Sequence, residues 1–119
     1  MQGTRMARLT VELQQEIARI IHQELKDPRL GFVTIARMEL SKDLRHAKVF
    51  FSCLGGEGAR ASSQEALDRS TGFVHGLIKR RFRLKVIPEL QFRYDASIEE
   101  SIALSEKLDR LRQTSQDPQ

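Results

Sequence analysis

The sequence has no tryptophan, one tyrosine, one cysteine and three prolines in 119 residues. Each shortage excludes something. With aromatic residues at 6%, the core has to be built mainly from aliphatic side chains. A single thiol, Cys53, cannot form an internal disulfide and argues against a cysteine-based zinc site. Alternation along "KVFFSCL" puts Cys53 on the strand face of Val49 and Phe51, which predicts a buried small hydrophobe. His22, His46 and His75 are scattered without ligand spacing, so no metal and no other cofactor is expected. No apolar run approaches the roughly 20 residues that span a bilayer. The stretch "MQGTRMARLTVE" lacks the unbroken apolar core of a signal peptide. The expectation is a cytoplasmic protein with no membrane partner.

What the chain does have is positive charge in one place. Lys and Arg number 20 against 16 Asp and Glu. Residues 1–68 hold ten cations and nine acids, residues 86–119 hold four and seven, and residues 69–85 hold six cations and no acid. The whole excess therefore sits in seventeen residues, "RSTGFVHGLIKRRFRLK". Such a local field attracts polyanions, nucleic acid before an anionic membrane.

Leu9, Leu13, Ile17, Ile20, Ile21 and Leu25 recur at helical spacing and predict a first helix over 6–25. Pro28 and Gly31 then turn the chain into the extended "FVTIARMEL". Within that stretch the apolar phase slips from Val33 and Ile35 to Met38 and Leu40, which predicts a bulge near Ala36 or Arg37. "SKDLRH" is a polar turn, and "AKVFFSCL" completes an antiparallel hairpin. After the flexible "GGEGARASS", Ser62 or Ser63 is expected to cap a second helix, with Glu65 and Asp68 near its start. That helix ends by "LKVIP", and "ELQFRYD" alternates as a third strand. "SIEESIALSEKLDRLRQ" reads as a final helix capped by Ser97, with Glu99 and Glu100 in its first turn. Its apolar stripe of Ile98, Ile102, Leu108 and Leu111 is thin, so loose or partial docking is expected. The fold class is α+β, in the order α-β-β-α-β-α, with helices on one face of a three-stranded sheet.

On a wheel of about 100° per residue, Leu67, Val74, Leu77 and Ile78 gather on one side of the second helix. Arg69, Gly72, Gly76, Lys79, Arg80 and Arg83 gather on the other. A glycine inside a helix costs roughly 1 kcal/mol relative to alanine. Two of them on a cationic face point to access: without a Cβ, a sugar-phosphate chain can approach the backbone closely. A break at Gly72 would also free the N–H groups of a half-helix starting near Phe73, a seat for phosphate. The plainer account is a solvated face whose cations complement the helix dipole. Adjacent glycines and the lack of acids in this segment favour the first. Arg81 falls on the apolar side and is expected to snorkel or cap.

The order of elements and the glycine-bearing, cationic helix resemble the type II KH arrangement, in which RNA is clamped beside a glycine-containing helix junction. There is no GxxG here; the junction reads Ser70-Thr71-Gly72. "ELKDPRLGFVT", "MELSKDLRHAKVFFS" and "STGFVHGLIKRRFRLKVIPELQFRYDASIEE" resemble the bacterial ribosome-binding factor A family over residues 5 to about 105. That family has a KH-like fold with an Ala-x-Gly kink between two half-helices, and Ser70 stands where it usually has Ala.

The resemblance implies a KH-like domain over 5–96 with a kinked second helix, a C-terminal helix over 97–112 and a disordered tail over 113–119. It implies a non-enzymatic assembly factor that binds the free 30S subunit and its 16S rRNA. Late maturation, including processing of the rRNA 5′ end, and importance in the cold come with it. A monomer with no small-molecule substrate is expected. The RNA-contacting residues would be Arg69, Lys79, Arg80 and Arg83 on phosphates and the backbone of Ser70, Thr71, Gly72 and Phe73 beside Gly76, with Lys85 and Arg45 extending the patch. One alternative is a protein-interaction module docking an acidic surface. An enzyme is disfavoured: Asp43 with His46, and Asp95 with Glu99, are the nearest acid/base pairs, and both sit at turn or cap positions.

Overall fold

The computed structural model describes residues 2–25, 27–30 and 32–116, without the side chains of residues 2–4, 98–101 and 113–116. Six elements follow one another: α1 (Gln2–Gln23), β1 (Val33–Leu40), β2 (His46–Cys53), α2 (Glu57–Arg81), β3 (Glu89–Tyr94) and α3 (Ser97–Gln116). The fold is α+β, as expected. β2 is the middle strand, antiparallel to β1 and parallel to β3. The parallel pairing follows from α2, which carries the chain back across the sheet between β2 and β3.

The apolar stripe of α1 is its buried face: Leu13, Ile17, Ile20 and Ile21 are all in the core. The sheet meets them with Val33, Ile35 and Met38 from β1, Val49 and Phe51 from β2, and Phe92 from β3. Alternating residues on the other side of each strand are exposed or half-buried, so α1 and α2 form one layer and the sheet a second. Each fully buried aliphatic side chain contributes about 1.5–3 kcal/mol, and this shared core sets the position of α2. The phase slip in β1 is a bulge: Ile35 pairs with Phe51 and Arg37 with Phe50, leaving Ala36 between them without a partner.

After α1 the Asp27 carboxylate accepts the Arg29 N–H at 2.9 Å, and Leu30 N–H bonds the Asp27 carbonyl at 3.0 Å. The expected turn at Pro28 is thus held by Asp27. Gly31 lies outside the described residues. Arg29 ties this turn to α2: its guanidinium reaches Glu65 at 3.4 Å, and its carbonyl accepts the Ser62 hydroxyl at 3.4 Å.

Several boundaries differ from expectation. α2 starts five residues before Ser62, behind Gly55 at φ +117° and an extended Gly56 as N-cap. Gly55 is where the chain needs glycine, since a Cβ there would lie 2.7 Å from Ala59 Cβ. Ser62 and Ser63 are therefore helical; Ser63 is buried and its hydroxyl has no hydrogen-bond partner. α2 also runs without interruption through Ser70, Thr71 and Gly72, so the expected junction leaves no free half-helix N-terminus. The Thr71 hydroxyl donates to the Leu67 carbonyl at 2.9 Å.

At the far end Phe82 is extended (φ −114°, ψ 138°), which takes Arg83 off the helical wheel. Cys53 shares the face of Val49 and Phe51 as expected but is half-buried at the strand end. α3 is started by Asp95, whose carboxylate accepts the Ser97 N–H at 3.0 Å; Ser97 itself is the first helical residue. The expected thin packing of α3 holds for Ile102, Leu108 and Leu111, all at least half exposed. Ile98, Glu99 and Glu100 lie outside the described side chains. α3 continues past 112 to Gln116, and 117–119 are outside the described residues.

Candidate nucleic-acid interface

The solvent side of α2 changes character along its length. Glu57, Glu65 and Asp68 lie on its N-terminal half, and Lys79 and Arg80 in its last turn, with Gly72 and Gly76 between. A Cβ added at Gly72 or Gly76 would meet nothing within 4 Å. Among the described residues, no neighbour requires glycine at either position. The buried side is that of Ala66, Leu67, Val74 and Ile78, half a turn away. Phe73, beside Gly72, is 52% exposed.

The acids nearest the glycines are already engaged. Glu65 holds Arg69 at 2.7 Å, an i, i+4 pair, and shares the same oxygen with Arg29. Asp68 accepts the Gln64 amide at 3.0 Å, and that amide also bonds the Phe92 carbonyl at 2.8 Å. Arg69 is thus on the expected face but partly neutralised. The spacing between Glu65 and Arg69 was the sequence signal for this pair. Lys79, Arg80, Arg83 and Lys85 have no carboxylate within 4.0 Å among the described residues. Positive charge without a local counter-ion is concentrated there.

Arg83 and Lys85 reach this end from the connection after α2 rather than from the helix. Arg45 joins them from the β1–β2 turn: its carbonyl accepts the Glu89 N–H at 2.8 Å, and it shares a shallow cleft with Val86 and Ile87. Lys42, in the same turn, is exposed and was not singled out from the sequence. Leu44 at φ 63° shapes that turn, and Asp43 supports it by accepting the Ser41 hydroxyl at 2.7 Å and the Arg45 N–H at 3.1 Å. These bonds, the Ser41 hydroxyl first, hold the Asp43 carboxyl below its ordinary range. Asp43 is a turn-former beside His46. Asp95 is likewise lowered, first by the Ser97 hydroxyl, then by the Ser97 N–H and by Arg37.

Arg81 takes no part in the cationic face. From the inner side of α2 it forks onto α1, with Glu16 at 2.7 Å and Glu24 at 2.7 and 2.9 Å. Its pKa is raised by Glu24 and then Glu16. Among the described residues no cluster of His, Cys, Asp and Glu could hold a metal ion, and no helix is long and apolar enough to cross a membrane.

An α-β-β-α-β order, a mixed sheet with a central β2 and one helix face bearing bare glycines and cations together define a KH-like α+β domain. The family model for ribosome-binding factor A matches residues 5–108. The chain belongs to that family. It is 46% identical over 108 residues to ribosome-binding factor A of Heliobacterium modesticaldum, covering 91% of this chain and 89% of that protein. It is 44% identical over 116 residues to that of Thermomicrobium roseum, covering 98% and 90%. Among solved structures, the crystal structure of ribosome-binding factor A from Thermus thermophilus superposes with a TM-score of 0.67 at 31% identity, covering 74% of this chain and 92% of that one. A homology model of the Thermus thermophilus protein, fitted into an electron cryo-microscopy map of its complex with the 30S subunit, superposes at 0.61 with 31% identity, covering 75% and 93%.

Proposed function

We propose that this protein binds the free 30S subunit through 16S rRNA and assists its late maturation, including processing of the rRNA 5′ end. The observation that carries this reading is the outer face of α2, where Gly72 and Gly76 leave open backbone beside cations that lack carboxylate partners. Lys79, Arg80, Arg83 and Lys85 take phosphates, and Arg45 extends the contact. The surface of Ser70, Thr71, Gly72 and Gly76 admits the ribose-phosphate chain, with the Phe73 ring at its margin. Arg69 contributes once phosphate competes with Glu65 for its guanidinium. With no interrupted helix to offer free N–H groups, phosphate binding rests on side chains. The fitted 30S complex of the Thermus thermophilus relative supports the choice of partner.

The protein acts without catalysis, as a monomer in the cytoplasm. Importance in the cold follows from the same physics: misfolded RNA helices exchange slowly at low temperature, and a protein favouring one conformer shifts the population by its differential affinity. The test is K79E/R80E/R83E, with binding to 30S subunits measured at two salt concentrations. Affinity should fall and lose much of its salt dependence. Unchanged affinity with an intact fold removes this face from the mechanism. Loss of subunit binding without any binding to protein-free rRNA by the parent chain would instead favour an acidic protein partner.

A further inference from the structure

The sheet has a second face, away from α1 and α2, against which no helix packs extensively among the described residues. At its centre is Phe50 of β2, partly exposed, with Arg37 as its partner on β1 and Arg93 as its partner on β3. Arg37 lays its guanidinium over the Phe50 ring, 3.8 Å from the centroid. We propose that this open face is a second contact for single-stranded RNA. An unpaired base stacks on the outer plane of the Arg37–Phe50 pair, and Lys48 and Arg93 take the flanking phosphates.

Three features carry this. Arg37 is preset: Glu39 holds it at 2.5 Å and Asp95 at 3.5 Å, while its side chain stays 48% exposed. Its outer plane is therefore both fixed and reachable. Planar guanidinium and aromatic groups are the surfaces on which unpaired bases stack, whereas bases inside a duplex are already stacked on one another. The charge also fits. Arg37 engages both Glu39 and Asp95; among the described residues Lys48, opposite Glu39, has no carboxylate within 4.0 Å, and Arg93 is bonded to the neutral Gln91 amide at 3.1 Å. The polarity of the rest of the face, with Thr34, Lys48, Ser52, Gln91 and Arg93, disfavours an apolar protein partner or a second copy of the chain. This face lies across the sheet from α2, so the proposal does not depend on the helix reading.

The experiment uses the full chain and a labelled, unstructured oligopyrimidine RNA of roughly 10 nucleotides, within the usual range for such surfaces. Affinity is read by fluorescence anisotropy and the contact by amide shifts. Phe50→Leu, which keeps an apolar side chain but removes the ring, should weaken binding about fivefold or more. K48Q/R93Q should weaken it and reduce its salt dependence, and the parent's shifts should map to β1, β2 and β3. K79E/R80E should leave those strand shifts in place even where it lowers total affinity. Unchanged affinity in both sheet variants, shifts confined to α2 and residues 82–88, or equal occupation of the sheet by polyglutamate would overturn the proposal. If F50L fails to keep the parent's circular dichroism spectrum, K48Q/R93Q decides alone, since both of its side chains are exposed.

Discussion

Gly72 and Gly76 weaken α2 from inside, each by roughly 1 kcal/mol relative to alanine, in a helix that has room for a methyl group at both places. Among the described residues, packing explains neither glycine. Gly72→Ala and Gly76→Ala should each stabilise the fold by about 0.5–1 kcal/mol in urea unfolding while weakening 30S binding, because on the proposed contact the added Cβ would stand in the way of the RNA backbone. Greater stability with full affinity would show that nothing comes close to this strip. The residue scale also shows what the sequence could not carry. Ser63 has the chemistry of a cap, yet its position puts it in the core beside Ala66 and Leu67. Arg69 counts as a free cation in any tally of residues 69–85, but its turn-neighbour Glu65 holds it. Charge run and charge availability are different quantities: within the run, only Lys79, Arg80, Arg83 and Lys85 lack a carboxylate partner among the described residues.

At the scale of elements, the seam between α1 and the end of α2 is fastened by Arg81. Glu24 is lowered chiefly by its bonds to Arg81, and Glu16 chiefly by Arg19 with Arg81 next. A carboxylate whose folded pKa lies below its unfolded value stabilises the fold above the unfolded value. That contribution disappears as pH falls through the folded one. Arg81→Met should therefore lower the thermal midpoint at about pH 7, and the gap to the parent should narrow by about pH 3. A gap independent of pH would mean that Arg81 acts through packing alone. This seam was invisible in the sequence because Glu16 and Glu24 lie 65 and 57 residues away. What local pattern does encode was legible: the stripe of α1, the hairpin, the bulge at Ala36 and the alternation of β3. The start of α2 was not, since Gly56 to Ser62 carry no large apolar residue to reveal a helical period. The apolar positions Leu67, Val74 and Ile78 keep one phase across Gly72, and α2 stays helical through that point.

For the whole molecule the net charge of +4 understates the field that RNA meets, because residues 69–85 alone carry six cations and the rest of the chain nearly balances. The structure divides those six by role. Arg81 is spent on α1 and Arg69 is shared with Glu65, so the counter-ions that leave the RNA on binding should be displaced mainly by Lys79, Arg80, Arg83 and Lys85. Each phosphate contact contributes about 0.7 to the slope of log affinity against log salt for single strands and about 0.9 for duplex. Neutralising Lys79, Arg80 and Arg83 to Gln should therefore flatten the slope for 30S binding by roughly 2–3. Arg69→Gln should change it by less than one contact's worth, and Arg81→Gln should leave it where it was. Titrations of the parent and these three variants over a range of potassium chloride concentrations measure all the slopes together. Equal flattening by Arg81→Gln and by any one outer-face cation would mean that net charge, and not its placement on α2, governs binding, and the helix face would then have no special claim to the RNA.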